Sequence, residues 1–401
     1  MPHHAGMTRP VPPLKKARIV IGTMTGTSLD GDIDVAAVRV NEHGAALRVQ
    51  FLAGVSHSLG NLVDNLRRAA EQCSMSAREF AGLSQHFGQA HATAIQSLCA
   101  REGLTPDLIV LHGQTVFHAP PLSWQLINPW PVACSLQCRV RFDLRAANLA
   151  SGGEGAPITP LADHFLFGGR AKQTAVLNLG GFANATLLAP DTPRALAPSL
   201  PRVRGFDVCA CNHLLNRVAR DRLGRNFDEN GNAALAGACN ETALDAMLRA
   251  MRAPPQAGIS ARRSLGTGDE SARTVQMTAH LSPQDACRTV TEAVARLILS
   301  TLREAGLRDE DTLLLAGGST RHQALVRAMQ CARVGTTTDT MDSHGVPVGM
   351  REAAGMAVLG ALADDGVSYC VEEIVGRRSR VLDSACIDAL QLPDQAEPVQ
   401  P

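Results

Sequence analysis

The sequence predicts an α/β protein in which one architectural unit occurs twice, giving two domains that face each other across a cleft. Three observations carry this. Residues 18–40, RIVIGTMTGTSLDGDIDVAAVRV, read as a strand, a Gly/Thr/Ser turn and a second strand with alternating apolar positions. A matching hairpin, TAVLNLGGFANATLL, starts at Thr174 and breaks at Gly180–Gly181. Later a helix, a strand and a Gly–Gly turn follow one another between Pro283 and Ser319, with a further helix after them. A chain of 401 residues has room for two domains of ordinary size.

The remaining elements follow from local signals. Residues 1–17 are polar and Pro-rich and read as a loose extension, with no apolar stretch of signal-peptide length. A helical stretch over 76–102 stops at Gly103, and Leu108–Leu111 is a buried type of strand that ends at His112–Gly113. Ser151–Pro160 is a Gly-rich crossing. Ser282–Pro283–Gln284–Asp285 is a helix start, with a Ser cap, Pro at the first helical position and an acid at the third. Val290, Val294, Leu297, Ile298 and Leu302 then share one face up to a stop at Gly306. These elements divide the chain into the extension 1–17, a first domain 18–150, a second domain 151–365 whose last helices are expected to pack back on the first, and a tail 366–401.

Composition narrows the function. Lys+Arg and Asp+Glu both number 38, so no net field draws the chain toward nucleic acid or an anionic membrane. Aromatic residues make up 3%, too few for a base-stacking surface. The 11 cysteines are odd in number and lack a regular framework, which reads as reduced thiols in a cytoplasmic protein. Cys209, Cys211 and His213 come nearest to metal spacing, but no second pair follows them.

Two loops and one turn carry the chemistry. In the first loop, Gly26, Thr27, Ser28, Leu29, Asp30 and Gly31, glycines let the backbone approach an anion and the hydroxyls can hold phosphate oxygens. Asp30 and Asp34 could position a metal ion or order that loop. The second loop, from Asn178 through Gly180 and Gly181 to Asn184, could face the other side of the same phosphate chain. The late turn, Gly317–Gly318–Ser319, leaves room for a flat nucleoside against the backbone. Each alone could be a plain hairpin turn. Two phosphate loops and a nucleoside turn in this chain order are the signature of the actin-like ATPase (ribonuclease H-like) fold shared by sugar kinases, with an interdomain cleft.

Within that superfamily the chain resembles the anhydro-N-acetylmuramic acid kinases. The resemblance spans about residues 18–365 and rests on GTMTGTSLDGDIDVAAV, HGQTVFHAP from His112, FDLRAANLASGGEGAPITPLADHFLF, NLGGFAN, GFDVCACN from Gly205, FDENGNAALAG from Phe227, LLLAGGSTRHQAL and REAAGMAVLGAL. It implies ATP-dependent phosphorylation of 1,6-anhydro-N-acetylmuramic acid at O6 with hydrolytic opening of the anhydro ring, a step of peptidoglycan recycling. It further implies ATP and Mg²⁺ as cofactors, a cytoplasmic homodimer, and no nucleic-acid or membrane partner. Asp207 takes the position of the family's general base. His112, Gln114, Arg145, Glu154 and Asn212 are expected to border the sugar. Asp228 and Gly231 read as a helix cap more than as a cleft turn.

Some positions depart from the family. Its usual Asp–Thr–Gly–Pro–x–Asn is here Asp207–Val208–Cys209–Ala210–Cys211–Asn212, and its Lys–Ser–Thr–Gly–Arg element is matched only faintly by Arg263–Thr267. Met24 and Asn178 stand where many superfamily members carry Asp, and Asp32 looks inserted. A kinase of the same fold acting on another sugar, or a non-catalytic nucleotide-binding paralogue, is compatible with these changes. A cleft-facing Asp207 and a Cys209 that does not fill the cleft would favour the enzyme.

Overall fold

The computed structural model describes residues 17–26, 31–169, 171–190, 203–252, 275–332, 338–370 and 383–389. Its strands in chain order are β1 (Arg18–Met24), β2 (Asp32–Asn41), β3 (Arg48–Ser58), β4 (Leu108–Leu111), β5 (Gln114–Ala119), β6 (Leu122–Leu126), β7 (Val140–Phe142), β8 (Thr174–Leu179), β9 (Phe182–Leu188), β10 (Val203–Ala210), β11 (Thr312–Ala316), β12 (Thr338–Thr340) and β13 (Ala385–Ile387). The helices are α1 (Leu62–Ala70), α2 (Ala77–Glu102), α3 (Trp130–Leu136), α4 (Ala146–Ala150), α5 (Thr159–Phe167), α6 (Asn212–Leu223), α7 (Asn232–Ala236), α8 (Glu241–Met251), α9 (Pro283–Glu304), α10 (Gln323–Cys331) and α11 (Arg351–Asp364).

Duplication is visible strand for strand. The first sheet runs β13–β7–β4–β1–β2–β3 and the second β10–β9–β8–β11–β12. In the first, β1, β2 and β3 form an antiparallel meander, β4 lies parallel to β1 and β7 parallel to β4. In the second, β8, β9 and β10 form the meander, with β11 parallel to β8 and β12 parallel to β11. The predicted actin-like α/β architecture is therefore present in both halves.

Period-two alternation sorts each strand between two cores. Ile21, Ile33, Val35, Ala37, Ile109 and Leu111 pack outward with residues of α1 and α2. Ala175, Leu177, Leu179, Leu313 and Leu315 pack outward with α6, α9 and α10. Between the sheets lies a shared core, in which Val20, Met24, Ala36, Val38 and Val110 of the first join Val176, Leu188, Val203, Leu314 and Ala316 of the second through α5 and α11.

The small residues of α11 explain why the shared core closes so tightly. A side chain at Gly22 would put its Cβ 2.1 Å from the Ala353 carbonyl oxygen, so α11 lies directly on the β1 backbone. Arg18 at the start of β1 forks onto Asp365 just past α11, at 2.7 and 2.9 Å.

The predicted caps are present. Ser76 and Glu79 form a reciprocal capping box at the start of α2, which ends at left-handed Gly103. Ser282 accepts from the Asp285 N–H at 3.1 Å, with Pro283 opening α9. The predicted helix start after Gly317–Gly318 takes a different form: one 3₁₀ turn, Gly318–Arg321, precedes α10. The tail contributes β13, which pairs antiparallel with β7 at the edge of the first sheet.

Candidate functional site

The site begins as a row of polar side chains on the inner face of the second sheet. On β10, Val203 belongs to the shared core, and a Cβ at Gly205 would meet Pro160 of α5 at 2.6 Å. Asp207 follows at the same parity and so faces the first half, while Phe206 points into the outer core. The same alternation puts Asn184 inward beside Thr186, whose hydroxyl donates to Asp163 of α5 at 3.0 Å, and Asn178 inward beside Val176. Asp207 is the cross-strand partner of Asn184, and Asn184 that of Asn178. One carboxylate and two carboxamides thus lie side by side across β10, β9 and β8.

A β-bulge ends the row. The β9–β10 register shifts between Asp207 and Cys209, so Val208 and Cys209 both turn into the outer core. Cys209 is 6% exposed and Cys211 is fully buried. Burial raises both thiols, Cys211 to about 12, so neither is a reactive thiolate. The residues that depart from the family around Asp207 are therefore absorbed by packing. Cys209 does not fill the cleft.

The glycine turns of the second half converge on this row. Asn178 and Ala316 are partners across β8–β11, and at Gly317, φ +86, a Cβ would lie 2.6 Å from Asn178 Oδ1 and 2.8 Å from the Leu179 carbonyl. Only glycine fits that angle and that approach. The Gly180 carbonyl accepts from the Asn212 N–H at 3.0 Å, and the Gly181 carbonyl accepts from Cys211 at 2.9 Å and His213 at 3.2 Å. Ser319 Oγ donates to Asn212 Oδ1, which ties the late turn to the start of α6. Asn212, expected beside the sugar, thus lies at the junction of the 180–181 and 317–319 turns. At Gly318 a Cβ would meet nothing within 4 Å.

On the first sheet a corresponding row runs Met24, Asp34 and Ser56 across β1, β2 and β3. Met24 belongs to the shared core, and Asp34 lies at the parity of Ala36 and Val38 in it. Ser56 Oγ donates to Asp34 Oδ1 at 2.5 Å, an ordering contact at the mouth of the first loop. Thr25 Oγ1 beside Gly26 is buried and, among the described residues, has no hydrogen-bond partner. Of the loop itself, Gly26 and Gly31 are described, whereas Thr27, Ser28, Leu29 and Asp30 lie outside the described residues, as does Arg263–Thr267.

A third group follows β4. His112 continues the inward parity of Leu108 and Val110 and is 1% exposed. Its Nδ1 lies 2.8 Å from the Gly113 carbonyl, and its Nε2 accepts from Arg145 Nε at 3.1 Å and from Arg145 Nη2 at 2.9 Å. Because arginine only donates, Nε2 must be unprotonated and Nδ1 carries the hydrogen. Burial and the Arg145 charge hold the imidazole pKa down at about 3. Arg145 Nη1 donates to the Gly155 carbonyl at 2.8 Å, and the Gly155 N–H donates to Asn148 Oδ1 at 2.7 Å, which fixes the loop that carries Glu154. Pro157, two residues on, comes within 3.6 Å of a Cβ at Gly205 on the Asp207 strand. Gln114 is fully buried and, among the described residues, its Oε1 has no hydrogen-bond partner.

Asp228 caps α7, accepting from the Ala233 and Ala234 N–H groups at 2.8 and 2.9 Å, as its helix-cap reading predicts. Among the described residues no group of three or more His, Cys, Asp or Glu could hold a metal ion, and no helix is long and apolar enough to cross a membrane. Asn184 and Ser319 close the second loop and the late turn named from the sequence, and the phase of Asn184 with Thr186 and Leu188 puts it on the inner face, whereas Ser56 carries no local signal of its contact with Asp34.

A family profile described as anhydro-N-acetylmuramic acid kinase matches residues 18–387. The anhydro-N-acetylmuramic acid kinase of Bordetella avium is 33% identical, over 94% of this chain and 98% of the relative. That of Synechococcus elongatus is 32% identical, over 85% of this chain and 91% of the relative. Among solved structures, component A of the (R)-2-hydroxyglutaryl-CoA dehydratase of Acidaminococcus fermentans aligns with a TM-score of 0.44 at 10% identity, over 87% of this chain and 99% of that one.

Proposed function

The chain belongs to the anhydro-N-acetylmuramic acid kinase family, and from that premise we propose that it uses ATP and water to convert 1,6-anhydro-N-acetylmuramic acid into N-acetylmuramic acid 6-phosphate, a step of cell-wall recycling. The observation that carries this reading is the row Asp207–Asn184–Asn178 on the inner face of the second sheet, with Gly317 packed against Asn178.

The chemistry asks for two things of the protein. A water oxygen bonds to C1 while the C1–O6 bond breaks, and O6 takes the γ-phosphoryl group as ADP leaves. Asp207 accepts the proton of that water, the role that a cleft carboxylate suits. Asn184 beside it is in position to orient the water or a sugar hydroxyl. Phosphoryl transfer depends mainly on positioning and on neutralised charge. For that, Gly26, Gly31 and Thr25 on one side and Asn178, Gly180 and Gly181 on the other would face the phosphates, with the unfilled side of Gly318 against the nucleoside. Thr27 to Asp30 of the first loop, outside the described residues, belong to this proposal on sequence alone.

The donor set fits Mg²⁺ held chiefly by phosphate and water, since such sites need only one or two protein carboxylates. Asp34 at the loop mouth is the carboxylate that would hold it, and the ion would supply neutralisation of phosphate charge. His112, Gln114, Arg145 and Glu154 would line the sugar. A cytoplasmic location agrees with eleven unpaired cysteines. For the homodimer, the supporting observation is the apolar exposure of Phe117, Leu122 and Trp124 on the β5–β6 hairpin.

The test is incubation with ATP, Mg²⁺ and the anhydro sugar, followed by mass analysis. A product heavier by one phosphate and one water is expected. Gain of phosphate without water would indicate an ordinary kinase acting on another hydroxyl, and no product with any sugar would leave a nucleotide-binding protein.

A further inference from the structure

A cavity of about 470 Å³ lies in the outer layer of the second half, between α9 and α10 with α7 beside them. Every residue lining it comes from the second half, and none belongs to the places proposed above for ATP or the sugar. Arg288, Glu292 and Arg296 stand at intervals of four on α9 and so share one face, while Arg327 lines the cavity from α10.

The charges in this cavity do not balance. Glu292 Oε1 accepts from Arg288 Nε at 3.1 Å and Nη2 at 2.8 Å, and its Oε2 lies 4.0 Å from Arg296 Nε. Arg296 turns its other two nitrogens to Glu241, at 3.2 and 3.1 Å. Glu241 does not line the cavity, and as a mostly exposed partner it answers that charge only weakly. Among the described residues Arg327 makes no ion pair. The lining thus sets three guanidinium groups against one carboxylate whose oxygens are both engaged. A phosphate monoester brings nearly two negative charges at neutral pH and oxygens that suit guanidinium forks. Leu235, Leu299 and Ala328 add apolar surface against which its carbon body can pack.

The walls of the cavity lead to the nucleoside turn. His322 caps α10, its Nδ1 accepting from the Leu325 N–H at 3.2 Å, and its own N–H donates to the Ser319 carbonyl at 3.0 Å. The start of α7, the helix that supplies Leu235, meets the same residue. A Cβ at Gly231 would lie 2.7 Å from the His322 ring, and Asp228, the α7 cap, has Oδ2 3.9 Å from His322 Nε2. Holding α10 against α9 and α7 therefore also holds the turn that runs from Gly317 to Ser319.

We propose that the α9–α10 cavity is an effector site for a small phosphate monoester of the sugar-phosphate class, and that its occupation tightens ATP binding by ordering the 317–319 turn in advance. The effect on ATP rests on the proposed function, whereas the site itself does not.

Cys331 lines the cavity and is exposed, so its alkylation by a neutral maleimide reports occupancy in the full-length protein. Peptide mass mapping reads it separately from Cys73 and Cys134, exposed thiols of the first half that serve as references. The probes are glucose 6-phosphate, glucose and inorganic phosphate at constant ionic strength. Glucose 6-phosphate should protect Cys331 alone, glucose should not protect it, and inorganic phosphate should protect only at higher concentration. Arg327→Ala should weaken that protection by roughly tenfold or more, the scale of a charge-assisted hydrogen bond, and leave basal turnover unchanged. Glucose 6-phosphate should also lower KM for ATP about fivefold in wild type and not in Arg327→Ala, at the lower end of coupling between sites. No protection of Cys331, or protection indifferent to Arg327, would overturn the site, and equal protection by inorganic phosphate would overturn the ester. Protection with KM for ATP unchanged or raised would overturn the effector role. If wild type phosphorylates no sugar, the proposed function fails by itself, and ATP must then strengthen protection of Cys331, the reciprocal effect, for the effector role to stand.

Discussion

Asp207 on β10 stands directly opposite Asn184 on β9, in the last register position before the bulge that turns Val208 and Cys209 into the core. The bulge separates two demands made on adjacent residues. One side chain lies on the inner face of the sheet, and the next two fill the interior. Substitutions in the Val208–Cys211 stretch are thereby paid for in packing and not in the geometry of the carboxylate.

Asp207→Asn should abolish water activation and leave the scaffold alone. The exchange is isosteric and the position is only partly buried. Turnover should fall about 10²–10⁴-fold, the range for losing a general base, with the thermal midpoint and ATP affinity close to wild type. Single-turnover phosphorylation followed by mass analysis, alongside nucleotide titration, checks this. Unchanged turnover would remove Asp207 from the mechanism.

Gly317 and Gly318 are neighbours with opposite constraints. Gly317→Ala combines φ +86 with a contact at 2.6 Å to Asn178, so it should destabilise the protein by about 1–3 kcal/mol and weaken ATP binding. Gly318→Ala meets nothing within 4 Å and should leave the urea midpoint almost unmoved. If the nucleoside lies against that open side, Gly318→Ala will still raise KM for ATP several-fold. A Gly318 variant normal in both stability and ATP use would put the nucleoside elsewhere.

Features set by short-range signals were legible in the sequence. The β1–β2 and β8–β9 hairpins announce themselves by alternation around glycine turns, and α9 by Ser282, Pro283 and its apolar face. Distant pairings were not legible. Strand β13 is three residues whose partner, β7, lies more than two hundred positions upstream, and nothing local marks it. His112 and Arg145 were each expected near the sugar, but their mutual contact spans 33 residues and depends on how α4 follows β7. The fate of Cys209 was equally hidden, because a one-residue bulge decides which face it takes.

Acid should weaken this protein earlier than carboxylate titration alone would. Burial lowers the His91 pKa to about 4, and burial with the Arg145 charge lowers that of His112 to about 3. The unfolded chain binds protons at both near pH 6.5, whereas the folded chain refuses them. Stability from these groups is complete above about pH 6.5 and is lost as pH falls toward the folded values, by up to about 1.4 kcal/mol per pH unit for each histidine. Urea midpoints at pH 7 and pH 5 should differ accordingly, and His91→Gln should flatten the slope by about half. A wild-type midpoint independent of pH over that interval would contradict the neutral burial of both rings.

The pair Asp163–Arg351 joins the two halves. Asp163 on α5 receives Arg351 Nε at 2.8 Å, with a second bond from Arg351 Nη2, and Thr186 of the second sheet adds its hydroxyl at 3.0 Å. Arg351 opens α11, the helix that lies on β1 of the first sheet. Both partners are almost wholly buried, at 1% and 3% exposed. Removing one partner strands the other in a medium of low polarity, so Asp163→Asn or Arg351→Met should cost about 3–5 kcal/mol. Replacing both, Asp163→Leu with Arg351→Met, should recover most of that loss, since the pair contributes little net stability over apolar packing of similar volume. Thr186→Val should cost only about 1 kcal/mol, the worth of one hydrogen bond. Chemical denaturation of the four variants decides the matter: single substitutions as mild as Thr186→Val would show that the pair is not desolvated and does not hold α5 to α11.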